Sequence, residues 1–112
     1  MRAEELKGHL DAMLLAALEG GPRHGYAVIE TLRQSTGGRL DLPTGTIYPA
    51  LHRLVKRGWL KSEWGVSDTN QRAKFYRLTA AGKAQLIREQ DRWSQLVRAI
   101  GRGGGKFNSD PI

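Results

Sequence analysis

Between residues 44 and 78 the spacing of apolar side chains changes period, and Gly58 marks the change. Before it, Ile47, Leu51, Leu54 and Val55 recur at i, i+4, i+7 and i+8, one stripe of an α-helix. After it, residues 59–64 and 72–78 alternate around the turn-forming stretch 65–71, which predicts a β-hairpin. Thr44 or Thr46 is expected to cap the helix, and Gly58 to stop it in a left-handed turn. Pro49 is placed in the first turn, where its missing N–H is harmless. The outer face carries Thr46, Tyr48, His52, Arg53 and Lys56, with no acid among them. Greasy behind and basic in front, such a helix suits a DNA groove.

The flanking sequence supports this helix with others. Leu10, Met13, Leu14, Ala17 and Leu18 recur at helical spacing and predict a first helix over 6–19, ended by Gly20-Gly21-Pro22. Leu6 and the Glu4-Glu5 pair extend it backward, acids being favourable at the positive end of a helix. A second helix is expected from near His24 to Ser35, with Tyr26, Val28, Ile29 and Leu32 buried and Gly37-Gly38 closing it. Residues 39–42 alternate polar and apolar and predict one short strand before Pro43. Three helices followed by a hairpin make a winged helix-turn-helix, mainly α with a small β-wing. Thr79 then caps a last helix over 80–100. On it Leu86, Trp93 and Ile100 stand seven apart with Leu96 and Val97 between, an apolar stripe that something must cover. The first helix and a second copy of the chain are the candidates, and the expected dimer contact comprises Leu10, Leu14, Leu86, Trp93, Leu96, Val97 and Ile100. The chain thus divides into a DNA-binding unit over 1–78, a dimerisation helix over 79–100 and a flexible basic tail over 101–112.

Charge sharpens the functional reading. The 112 residues carry a net +7, but residues 1–43 net −1, residues 44–78 net +5 and residues 79–112 net +3. Such concentration on the organising helix and hairpin attracts a polyanion and steers its approach. The absence of cysteine excludes disulfides and thiolate metal sites, and fits a reducing compartment. No apolar run reaches membrane-spanning length and the start is too polar for a signal peptide, so the chain is expected to stay in the cytoplasm, away from membranes. His9, His24 and His52 lack metal spacing, and no nucleophile-base-acid set or phosphate-cradling loop stands out. No cofactor and no enzymatic activity are expected.

DNA binding by this layout divides into three tasks. The helix starts around His24 and Tyr26, and around Thr44 and Thr46, offer free N–H groups to phosphates. Tyr48, His52 and Arg53, with Lys56 beside them, point toward base edges in the major groove. Arg72 and Lys74 neutralise backbone phosphates at the wing. Tyr26 can pack its ring between helices and still offer its hydroxyl, and Trp59 and Trp64 read as core at the base of the wing. If two copies of the last helix meet, Trp93 and Leu96 would line a cavity able to hold a planar aromatic effector. The rival class is a protein–protein adaptor, which an apolar or acidic outer face on the third helix would favour.

Several segments together resemble the PadR family of transcriptional regulators. They are Leu14-Leu15-Ala16-Ala17-Leu18, Gly21-Pro22-Arg23-His24-Gly25-Tyr26, Gly45-Thr46-Ile47-Tyr48-Pro49-Ala50-Leu51-His52-Arg53-Leu54, Gly58-Trp59-Leu60, Ser62-Glu63-Trp64 and Lys74-Phe75-Tyr76-Arg77-Leu78-Thr79-Ala80-Ala81-Gly82. The resemblance covers about residues 10–100. It implies a homodimeric repressor on a palindromic operator of double-stranded DNA, with the last helix in the dimer contact. It further implies that Tyr26, Thr46, Tyr48, Arg53, Arg72 and Lys74 lie at or near DNA. Larger members carry several C-terminal helices, so this chain looks like the short subgroup, in which effectors sit between subunits near an aromatic where Trp93 would be.

Overall fold

A computed structural model describes residues 3–103. In chain order these form α1 (Ala3–Ala17), β1 (Arg23–His24), α2 (Gly25–Ser35), α3 (Thr44–Lys56), β2 (Leu60–Val66), β3 (Arg72–Leu78) and α4 (Ala80–Gly103). The three antiparallel strands lie in the order β1-β3-β2. This is a winged helix-turn-helix with one long helix appended.

The core is made by the stripes the periodicity marks. Leu14, Leu15 and Leu18 meet Val28 of α2 and Ile47, Leu51 and Leu54 of α3, all seven fully buried. Burying one such side chain stabilises the fold by about 1.5–3 kcal/mol, so these seven carry a large share of the apolar driving force. Tyr26 departs from its expected place on the buried side of α2 and is 63% exposed. It follows directly on Gly25, the buried first residue of the helix, and points away from the core.

Local chemistry sets the helix ends, with three corrections. α3 begins behind Pro43, whose carbonyl accepts from the N–H groups of Thr46 (2.9 Å) and Ile47 (3.1 Å). Neither Thr44 nor Thr46 caps it, because both already lie inside the helix and no side-chain cap bond forms. Pro49 is consequently a turn further in than expected, so the Gly45 carbonyl loses its helical donor. Both residues are exposed, and water can satisfy that carbonyl. The third correction concerns residues 39–42, which form no strand. Leu40 N–H donates to the Thr36 hydroxyl at 2.9 Å, while Leu40 and Leu42 anchor the loop against the core. The edge of β3 is taken instead by β1, through Arg23↔Tyr76 and His24↔Phe75.

At the other end of α3, Gly58 adopts φ +81°, the left-handed turn expected of it. The hairpin then pairs Leu60↔Leu78, Ser62↔Tyr76, Trp64↔Lys74 and Val66↔Arg72, placing these eight residues on one face. Leu60, Tyr76 and Leu78 are buried at its base. Trp64 is two pairs further out and 61% exposed, so it is wing surface rather than wing-base core.

Thr79 caps α4 as the sequence indicates, its hydroxyl accepting from Gly82 N–H at 3.0 Å and donating to the Gly58 carbonyl at 2.6 Å. α4 packs through Leu86 near its start, and every residue from 91 to 100 is exposed. Residues 101–103, expected in the tail, continue the helix. The remainder of the expected tail, 104–112, lies outside the described residues.

Candidate nucleic-acid interface

A trench of about 780 Å³ separates the starts of α2 and α3 from the wing. The chain builds it from short-range rules. Extended backbone at His24 ends β1 and starts α2, and the His24 Nδ1 accepts from Ala27 N–H at 3.2 Å. That nitrogen must be unprotonated to accept, and the ring stands edge-on to Phe75 at 5.4 Å. His24 therefore serves first as a helix cap, and its N-terminal helix turn offers the N–H groups.

Gly25 comes next, and the sequence reading missed its role. A Cβ there would lie 2.7 Å from the Tyr48 hydroxyl and closer still to its ring. The missing side chain lets the Tyr48 ring rest directly on the start of α2. Tyr48 is thereby held at the rim of the trench, 42% exposed, beside the more exposed Tyr26. A glycine immediately before an aromatic in a helix start was the only available signal. Tyr76 forms the floor, where burial, followed by the proximity of Tyr48, raises its pKa above the ordinary 10.0.

The opposite wall is cationic. Arg72 places its guanidinium 4.7 Å from the Trp64 ring centroid, and Lys74 its ammonium at 5.6 Å. Trp64 is a shelf that holds both charges on the face looking back at α2 and α3. His24, Tyr26, Tyr48, Arg72 and Lys74 thus line one trench. Thr44, Thr46, His52 and Lys56 are exposed on α3.

Arg53 is not on that outward face. It turns toward α1, and its Nη2 pairs with Asp11 Oδ1. Its position on α3 lies on the flank between the buried and outer stripes, where a long side chain reaches a neighbouring helix. The expected dimer residues also divide. Leu10, Leu14 and Leu86 are buried in the protomer's own core, Leu86 at the edge of the groove between α4 and α1. Trp93 (66% exposed), Leu96, Val97 and Ile100 remain on the surface. Trp93 and Leu96 border a groove of about 730 Å³ between α4 and α1, whose other wall includes His9, Ala12 and Met13.

Among the described residues no group of three metal-ligating side chains occurs, and no helix is long and apolar enough to cross a membrane.

The fold and its sequence have relatives. The PadR-like family of transcriptional regulators matches residues 14–88. An uncharacterised protein of Lysinibacillus sphaericus is 30% identical over 101 residues, spanning 89% of this chain and 92% of that one. The transcriptional regulator Rv3488 of Mycobacterium tuberculosis is 37% identical over 78 residues, 70% of this chain and 59% of its own length. A PadR family transcriptional regulator from Eggerthella lenta superposes with a TM-score of 0.71 at 30% identity, covering 88% of this chain and 84% of that one. The family match over residues 14–88, together with the winged fold shared with the Eggerthella lenta regulator, assigns the chain to a family: it is a member of the PadR-like transcriptional regulators.

Proposed function

We propose that the protein is a dimeric, sequence-specific DNA-binding repressor. The observation that carries this reading is the trench in which Tyr26 and Tyr48, at two helix starts, face Arg72 and Lys74 on the wing. There the helix starts and wing cations hold phosphates, while Tyr48 at the rim, with His52 and Lys56 further along α3 outside the trench, meets base edges. Phosphate contacts supply most of the affinity and base contacts the preference. Residues 1–78 act as the reading unit and residues 79–100 as the pairing helix, which brings two reading units to a palindromic site in the cytoplasm.

The exposed stripe of Trp93, Leu96, Val97 and Ile100 supports pairing, since an apolar face of that size on a projecting helix favours a cover. The groove beside Trp93 then supports release of the DNA by a small planar aromatic effector. Fluorescence or gel-shift titration of the DNA upstream of the protein's own gene, against random duplex, tests the reading. Site-selective binding that weakens steeply with salt is the expected result. No binding to either duplex in dilute buffer would overturn it in favour of a protein-binding adaptor. Addition of planar aromatic compounds, read by Trp93 fluorescence and by loss of DNA, tests the release step separately.

A further inference from the structure

The Asp11–Arg53 pair has a physical character unlike the molecule's other ion pairs. Among the described residues the others lie within α2, within α4 or across the hairpin, whereas this one ties α1 to α3. It is also the most sequestered, with side chains 13% and 27% exposed. The Arg53 Nε is buried without a hydrogen-bond partner. A pair in that state is a poor way to hold two helices together. Desolvation offsets most of the attraction, the orphaned N–H opposes folding, and two apolar side chains would do better.

The charge itself is the more telling property. α3 carries Arg53 and Lys56 and no acid. Left alone, a guanidinium on the flank of a groove-reading helix would reach a phosphate on any duplex, because the backbone is the same at every sequence. Its five donors suit phosphate better than an ammonium does. Asp11 occupies that guanidinium from behind. What stays outward on the helix is Tyr48, His52 and Lys56, which leaves α3 with one cation facing the backbone instead of two.

We propose that Asp11 is a specificity-determining residue, which acts through Arg53 by withholding one cation of α3 from the DNA backbone. The proposal rests on the DNA-binding reading above. It makes the acid of α1 a restraint on sequence-independent binding, and it assigns Arg53 no phosphate contact.

Salt-dependent binding of the full chain to random duplex and to the upstream fragment tests this. In Asp11→Asn, Arg53 is released, so the log–log salt slope on random duplex steepens by about 0.9 per bound protomer. A fourfold rise in salt then weakens the variant more than the wild-type chain by about 3.5 times per bound protomer, or about 12 times for a bound dimer. Preference for the upstream fragment falls accordingly. Asp11→Glu keeps the wild-type slope. The double variant Asp11→Asn with Arg53→Gln returns to it, and Asp91→Asn, the same charge change out on α4, leaves it unmoved. Arg53→Gln alone also retains the wild-type slope, and this arm needs no stability in the Asp11 variants. A slope unchanged in folded Asp11→Asn, or one lowered by about 0.9 in Arg53→Gln, overturns the proposal while leaving wild-type DNA binding intact. A wild-type chain that binds no duplex overturns both.

Discussion

At the scale of single residues, two positions show how backbone and burial tune the candidate interface. Gly25 holds Tyr48 by having no side chain, so Gly25→Ala must push the ring off the start of α2. Alanine is the better helix former, and a generic substitution there would be neutral or stabilising. Here it is expected to lower preference for the specific site by about 1–3 kcal/mol, the range of one lost base contact, as Tyr48→Ala does in the same titration. Tyr76 loses its proton at higher pH than a surface phenol does. Burial raises its pKa above 10.0, so the neutral ring stabilises the fold fully below about pH 10, and that contribution is lost as pH climbs through the raised value. Tyr76→Phe should remove this part of the alkaline loss, seen as urea midpoints that converge less steeply on either side of pH 10. The tyrosines were visible in the sequence as aromatics. Which of them is floor and which is rim depends on the glycine between the helices.

At the scale of elements, one aromatic ring holds the cations of the wing and one close backbone contact seats α4. Trp64 carries Arg72 and Lys74 on its face, and an exposed cation–π contact contributes about 0.5–1 kcal/mol. Trp64→Leu keeps the strand but frees both cations, so binding to specific and random duplex should weaken about equally, with far-UV circular dichroism unchanged. The start of α4 lies directly on the beginning of β2. A Cβ on Gly82 would strike the Trp59 carbonyl oxygen, which is backbone and has little freedom to yield. Gly82→Ala is therefore expected to destabilise the protein by about 1–3 kcal/mol, read as a lower thermal midpoint. The hairpin and the cap at Thr79 were legible because turn residues and period-two alternation are local signals. The role of Gly82 was not, since nothing in its neighbours announces the strand it meets.

At the scale of the whole molecule, the chain measures 54 × 29 × 27 Å because α4 runs past the winged unit. Its 24 residues span about 36 Å, and only the first turns rest on the protomer. The expected dimer contact was drawn too broadly for this reason. Leu86 fits the same helical period as Trp93 and Ile100, and Leu10 and Leu14 the period of α1, yet the protomer itself buries all three. Substituting Trp93→Asp with Leu96→Asp places charge on the exposed stripe alone. Sedimentation is expected to show single protomers with the winged fold preserved. Affinity for the upstream fragment should fall by roughly 100-fold or more as two-point attachment is lost.

What the amino-acid order determined unaided is everything governed by neighbours a few residues apart. That covers the stripes of α1 and α3, that of α2 except Tyr26, the left-handed stop at Gly58, the existence of the hairpin, though not its turn at 65–66, which is strand, and the basic balance of residues 44–78. Periodicity and turn chemistry act over short stretches, so they can be read along the chain. Only the tertiary structure decided which segment would occupy the free edge of β3, which carbonyl Gly82 must clear, and that Arg53 would turn to an acid 42 positions earlier. Those choices depend on how finished helices dock, a geometry that side-chain spacing along one element does not contain.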